Sequence, residues 1–376
     1  MPALFEGCTI NGMSLANRFV RSATWEGLAD KHGSVTPELT KMMVELARGE
    51  VGLIISGYAF VSPEGQSSPR QLAACDERFL PKLRKMVRGV HAVGGKIALQ
   101  LVHGGCMADA ALSGHEPVGP TAVERDGKSA CRMLAKGDIA RIISAFARAA
   151  GLAKEAGFDG VQIHAAHGFL ISQFLSPVFN RREDDYGEDL ENRARLLLEV
   201  VRSVRETVGP AYPVLIKINS EDFLAGGMSS PEAVEVSSWL EQASVDAIEF
   251  SGGTMNSPKE FVPVRSGSLK TREQEVYYRQ AARLYKQKVR IPLMLVGGIR
   301  SYEVAEELVQ EGTADYISLS RPLICEPGLV KRWREGDRRK SECLSDNACF
   351  GPALAGMGLY CVTIANKRAI LAKRRK

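Results

Sequence analysis

The sequence predicts an eight-stranded parallel β/α barrel, and three observations lead there. Eight apolar runs of strand length alternate with eight longer amphipathic stretches. A repeat of strand then helix is the pattern of a parallel sheet covered by helices. Finally, the first strand lacks the Gly-x-Gly-x-x-Gly turn of an open dinucleotide-binding sheet, reading Arg21-Ser22-Ala23-Thr24-Trp25 instead.

The expected strands are 19–23, 52–56, 96–102, 160–164, 214–219, 247–251, 293–297 and 316–320. The expected helices are 37–48, 81–93, 139–156, 191–208, 231–243, 273–288, 302–311 and 328–334. Together they make a (β/α)8 barrel, the TIM-barrel arrangement, over residues 1–340, followed by a C-terminal extension at 341–376. The segment 104–137, rich in Gly, Pro and polar residues, is expected to cover the barrel mouth, and 257–268 to shape it.

Composition excludes several classes. At 376 residues, 45% hydrophobic and 25% charged, the chain can bury a large core. The net charge of +5 is mild, and the basic cluster at Lys367, Arg368, Lys373, Arg374, Arg375 and Lys376 reads as a solvated tail. We therefore expect no nucleic-acid or membrane partner. The eight cysteines are scattered, and the N-terminus lacks the basic and apolar blocks of a secretory signal, so a cytoplasmic location is expected.

Chemistry in such barrels gathers at the C-terminal ends of the strands. Here those ends carry Thr24 and Trp25, Gly57 and Tyr58, Gln100 and His103, His164 and His167, Lys217, Ser251, Gly297 and Gly298, and Ser320 and Arg321. Gly297-Gly298 and Ser320-Arg321 end strands seven and eight, the usual phosphate position, and offer backbone N–H groups, a hydroxyl and a guanidinium. Tight turns and a surface ion pair are the competing reading. Gln100 offers donor and acceptor to a heterocycle edge, and Lys217 a positive charge to a ring that becomes anionic on reduction. A flavin has both needs, although Lys217 also has Glu221 and Asp222 nearby in sequence to pair with. His164 and His167 are placed to grip one substrate oxygen. No third ligand at metal-site spacing accompanies them, so no metal is expected there.

The stretch from His164-Ala-Ala-His167-Gly-Phe169 through Gln173-Phe-Leu-Ser-Pro177 and Asn180-Arg-Arg182 to Tyr186-Gly187, followed by Glu191-Asn-Arg-Ala-Arg195, resembles the signature of the old yellow enzyme family. Supporting likeness runs from Asn17-Arg18 through Gln100 and His103-Gly-Gly105 to Gly297-Gly298 and Arg321-Pro322. The resemblance implies non-covalent FMN held by Ser22, Ala23, Thr24, Gly57, Tyr58, Gln100 and Lys217 at the ring and by Gly297, Gly298, Ser320 and Arg321 at the phosphate. It also implies NADH or NADPH as electron donor and a small or medium electrophilic acceptor, such as an α,β-unsaturated carbonyl compound, gripped by His164 and His167. Trp25, His103 and Phe169 would line the substrate pocket, and Asn180, Arg182, Asp184 and Tyr186 would organise the strand-four loop. A homo-oligomer is compatible with this reading.

Three departures stand out. Phe169 occupies the place of a proton-donating tyrosine, which passes that duty to Tyr58, a water or another residue, or points to dehydrogenation or demethylation in the opposite direction. Trp25 stands where many relatives have a small residue. In the tail, Asp346 stands among Cys343, Cys349 and Cys361 where some relatives have a fourth cysteine ligand for a [4Fe-4S] cluster ahead of a further FAD- and nicotinamide-binding domain. Without that domain, electrons are expected to come directly from NAD(P)H or from a partner protein. Taken together, the departures also fit a flavin-binding protein that has lost catalysis.

Overall fold

The computed structural model describes residues 3–126, 128–267 and 269–374, without the side chains of 125, 128 and 371–374. Arg375 and Lys376 of the terminal basic cluster, and the side chains of Lys373 and Arg374, lie outside that description.

Eight parallel strands form the barrel: β1 (Phe19–Arg21), β2 (Leu53–Ile55), β3 (Ile97–Val102), β4 (Gly160–Ala165), β5 (Val214–Asn219), β6 (Ala247–Ser251), β7 (Leu293–Leu295) and β8 (Tyr316–Leu319). Each pairs with the next, and β8 pairs with β1 to close the ring. The outer helices are α1 (Pro37–Arg48), α2 (Leu80–His91), α3 (Lys136–Ala156), α4 (Leu190–Val208), α5 (Ser230–Gln242), α6 (Arg279–Lys288), α7 (Tyr302–Gln310) and α8 (Leu329–Arg334).

Local chemistry sets the helix starts. Thr36 accepts a hydrogen bond from the Leu39 N–H ahead of Pro37, and Ser229 and Glu232 form a reciprocal capping box at α5. The expected helix at 273–288 is corrected. Residues Arg272–Gln274 make a single 3-10 turn, Val276 has φ +63°, and the helix begins only at Arg279. The break frees Glu275 to accept hydrogen bonds from the backbone N–H groups of Arg300 and Ser301.

Strand alternation produces two layers inside the barrel. Alternate positions of β4 to β6, such as Val161, Ile163, Ile216, Ile218, Ile248 and Phe250, pack outward into the main core against the helices. The inward positions start apolar at the lower end, where Val20, Leu53, Ala98, Leu215, Ala247, Met294 and Tyr316 pack against Ile10, Met13 and Leu15 of an antiparallel hairpin that plugs the barrel floor. One step higher they turn polar: Gln100, Gln162, His164, Lys217, Glu249 and Ser318, each at most 3% exposed. Burying so many polar groups is costly unless they pair with one another or with a ligand.

The 104–137 segment contains a short helix (Ala110–Ser113) and a small three-stranded sheet. Two of the eight cysteines are bonded there, Cys106 to Cys131. Arg182 forms a two-point contact with Asp184 and donates to the carbonyls of Pro120 and Leu134, while Asn180 donates to those of Phe174 and Tyr186. These bonds fasten the loop after β4 to the 104–137 segment. No helix among the described residues is long and apolar enough to cross a membrane.

Candidate active site

Above the polar layer lies a cavity of about 320 Å³, at the C-terminal ends of the strands. Its floor is a chain of hydrogen bonds from strand to strand. Gln100 Nε2 donates to Gln162 Oε1 (2.7 Å), Gln162 Nε2 to Glu249 Oε2 (2.9 Å), and Lys217 Nζ lies 3.3 Å from the same carboxylate oxygen. Lys217 also donates to Ser22 Oγ at 2.8 Å. The chain follows from register: Gln162 is paired with Gln100 across one ladder, and Lys217 with Glu249 across another. The sequence alternatives Glu221 and Asp222 are not the partners of Lys217; Asp222 binds Asn219 and Met228 instead. Burial pulls the Lys217 ammonium below its ordinary pKa, and Glu249 opposes that pull.

Three buried polar atoms of this layer have no partner: Gln100 Oε1, Glu249 Oε1 and Ser318 Oγ. Gln100 and Ser318 line the cavity, so their unmet acceptor and hydroxyl are available to a polar ligand.

The two histidines meet here. His164 Nδ1 accepts from the Ala166 N–H, which leaves the ring proton on Nε2, and His167 Nε2 lies 2.7 Å from Ser251 Oγ. Their ring centroids are 5.1 Å apart and the rings perpendicular. His167 has φ +64°, and its N–H is held by Asn219 Oδ1; this turn brings it back beside His164. Burial holds both imidazoles well below their ordinary pKa; at His164 the neighbouring His167 and then the Lys217 charge add to it, and at His167 the Lys217 charge does. Both are therefore neutral near pH 7, and a neutral imidazole still donates one N–H. Phe169 packs edge-on to His164 at 4.9 Å and lies 5.3 Å from Tyr58, whose hydroxyl is 2.9 Å from Ser68 Oγ.

At the far end, Gly297 (φ +121°) and Gly298 (φ +79°) follow β7; a Cβ on them would stand 2.8 Å from Tyr278 and 2.6 Å from Tyr277. Arg321 donates to the Arg265 carbonyl and to Asn347 Oδ1, and Thr24 Oγ1 lies 2.8 Å from Ser320 Oγ. Ala23 and Trp25 complete the wall, with Trp25 Nε1 donating to the Pro69 carbonyl.

Of the expected site residues, Gly57 and His103 fall outside this wall. The Gly57 N–H donates to Glu26 Oε1, and a Cβ there would lie 2.0 Å from Glu26 Oε2, so its glycine serves the Arg21–Glu26 ion pair beneath the first strands. His103 is 1% exposed under Gly65, accepts from the Gly105 N–H, and burial lowers its pKa to about 4. Gln162, Glu249 and Arg300 are additions to the expected set. The signal for the first two was parity, since a polar residue at an inward position of an otherwise apolar strand must point into the barrel. Arg300, which lines the cavity and donates to the Cys343 carbonyl and to Ser345 Oγ, gave no such signal because its contacts are with the distant tail.

Cys343, Cys349 and Cys361 of that tail line another small cavity together with Asp346 and with Cys325, which follows the eighth strand. Asp346 is engaged by Thr363 Oγ1 and the Ala348 N–H. Among the described residues no group of three or more His, Cys, Asp or Glu side chains is placed to hold a metal ion.

Comparison with known proteins agrees with the geometry. Residues 3–340 match the NADH:flavin oxidoreductase / NADH oxidase family. An NADH oxidase of Thermoanaerobacter brockii is 35% identical over 93% of the chain and 54% of its own length, and an NADPH dehydrogenase of Clostridium acetobutylicum is 33% identical over 87% and 93%. The chain thus spans about half the length of some curated relatives it matches, such as that oxidase. A 2-naphthoyl-CoA reductase structure superposes with a TM-score of 0.87 at 28% identity, over 97% of this chain and 57% of that one. The chain therefore belongs to the NADH:flavin oxidoreductase / NADH oxidase family, the old yellow enzyme group whose signature runs through its fourth strand.

Proposed function

We propose that this chain is an FMN-dependent oxidoreductase that takes hydride from NADH or NADPH and reduces a small or medium electrophilic acceptor such as an α,β-unsaturated carbonyl compound. The observation that carries the reading is the cavity itself, with a partly unmet polar floor at one end and a glycine–arginine rim at the other. Its volume sits at the lower limit of roughly 300–1,000 Å³ usual for ligand sites.

The residues fit FMN. Gln100 presents its unpaired oxygen, and Lys217 a buried cation, to the ring; Ser22, Ala23, Thr24 and Tyr58 would flank it. Gly297, Gly298, Ser320 and Arg321 would take the phosphate, where backbone N–H groups and a guanidinium suit an anion. When bound, FMN supplies a two-electron carrier between nicotinamide and acceptor.

His164 and His167 would hold the acceptor's carbonyl oxygen as neutral donors. Because they carry no charge in the resting site, they add most where negative charge grows on that oxygen, and a well-placed donor contributes about 3 kcal/mol. Trp25 and Phe169 would give the substrate an apolar wall and exclude water. A second reading runs the site oxidatively, as a dehydrogenase or demethylase; Phe169, in the place of a proton-donating tyrosine, keeps it open.

Anaerobic mixing of the FMN-loaded protein with NADH and NADPH, followed by enones, quinones and nitro compounds, tests the proposal. Loss and return of the flavin absorbance band is expected. Colourless protein that refuses added FMN overturns it, and a band that no nicotinamide bleaches favours a non-catalytic flavin binder.

A further inference from the structure

Reduction of an alkene adds a hydride to one carbon and a proton to its neighbour, so an acid must stand at the cavity. His164 and His167 are occupied with the acceptor oxygen in the proposed reading. Lys217 is bound beneath the floor by Ser22 and Glu249, and the Tyr278 hydroxyl is turned to the Gly252 carbonyl. The phenyl ring of Phe169 carries no exchangeable proton. Among the hydroxyls that line the cavity, that of Tyr58 sits on a ring 5.3 Å from Phe169.

Tyr58 differs from the other hydroxyls in what lies behind it. Its oxygen is 2.9 Å from Ser68 Oγ, and Ser67 and Ser68 themselves line the cavity. Ser68 is half-buried, and the next two residues, Pro69 and Arg70, are exposed. The loop is held in place, since Gln71 Oε1 accepts from the Ser67 and Ser68 N–H groups and Trp25 donates to the Pro69 carbonyl.

We infer that Tyr58 and Ser68 form a proton relay from solvent into the cavity, with Tyr58 as the proton donor to the substrate carbon. This rests on the proposed reductive reading. The Tyr58 O–H bond breaks as the new C–H bond forms at the carbon next to the one that received hydride. The phenolate takes a proton from Ser68 Oγ, and Ser68 takes one from water. Hydride from the nicotinamide and the proton from water together account for the two hydrogens added. Burial raises the Tyr58 pKa to about 12, which keeps the hydroxyl protonated at neutral pH and makes its prompt reprotonation necessary.

The test uses the FMN-loaded protein, reduced anaerobically with NADPH and then reoxidised in parallel by 2-cyclohexenone, which needs a carbon-bound proton, and by ferricyanide, which does not. The readout is the ratio of the two reoxidation rates, in wild type, Tyr58→Phe and Ser68→Ala. A general acid contributes about 100-fold or more, so Tyr58→Phe is expected to lower the ratio by about that factor and Ser68→Ala by a smaller one. An unchanged ratio in either variant overturns the relay while leaving the reductase reading intact. Wild-type protein that ferricyanide reoxidises but the enone does not overturns the relay and the enone assignment together.

Discussion

Lys217 Nζ stands 3.3 Å from Glu249 Oε2 at the centre of the barrel, with both side chains all but completely buried. The pair lets a cation persist under the cavity floor, because the carboxylate offsets part of what burial takes from the ammonium. Glu249 also receives Gln162, so it fastens the Gln100 end of the floor to the Lys217 end.

Removing one partner of a buried ion pair leaves an uncompensated charge, which costs about 3–5 kcal/mol. Glu249→Gln keeps the volume and an acceptor for Gln162 but removes the countercharge. It is expected to lower the thermal midpoint of the FMN-free protein clearly, as read by circular dichroism; an unaltered midpoint would show that the pair is not held as an ion pair.

The glycine–arginine rim predicts where FMN retention is set. Gly298→Ala places a Cβ 2.6 Å from the Tyr277 ring at a positive φ, so the rim must shift. Arg321→Ala removes the guanidinium and its hold on Asn347 of the tail. Each is expected to weaken FMN binding at least tenfold in a fluorescence titration, a loss of about 1.4 kcal/mol or more.

For the histidines, His164→Ala deletes a donor whose tautomer the backbone fixes. If it stabilises charge on the acceptor oxygen, enone turnover falls about 10²–10³-fold. Bleaching by NADPH serves as the comparison, and an equal loss in both half-reactions would assign His164 to FMN or nicotinamide binding instead.

A pH prediction follows from His103. Its folded pKa is about 4 against an ordinary 6.5, so the unfolded chain takes up the proton first as pH falls. Stability is thus intact above pH 6.5, declines between pH 6.5 and 4, and levels off below, for a total of about 3 kcal/mol from this group. His103→Gln should lose that part of the slope, so denaturation midpoints of variant and wild type, measured from pH 7.5 to 4, should converge toward acid.

Cys106 and Cys131 tie the short turn beside Met107 to the small sheet of the 104–137 segment, across a sequence separation of 25. Loop-closure entropy makes a crosslink of that span worth roughly 3.5 kcal/mol. Cys106→Ser, or treatment with a dithiol reductant, is expected to raise proteolysis within 104–137 before the barrel unfolds; a cleavage pattern unchanged by reduction would mean that the tie adds no order there.

Much of this was legible along the chain because it depends on local periodicity. Apolar runs of strand length and amphipathic stretches at period 3.6 marked eight strands and eight helices, and the helix at 273–288 went astray only where Val276 adopts a left-handed backbone that side-chain pattern does not encode. The strand ends carrying Gln100, His164, Lys217, Gly297 and Arg321 were likewise visible, since barrel topology sends every such end to one mouth.

Sequence alone therefore determined the barrel, the family signature and the residue types that face the cavity. Only the tertiary structure decided the pairings: that Lys217 meets Glu249 rather than its chain neighbours, that Gly57 and His103 support the wall from behind, that Arg300 reaches the tail, and that Tyr58 meets Ser68. The physical reason is register. Periodicity fixes which face a residue takes, but the stagger between neighbouring strands and the paths of long loops fix which partner stands opposite, and those emerge only when the ring closes.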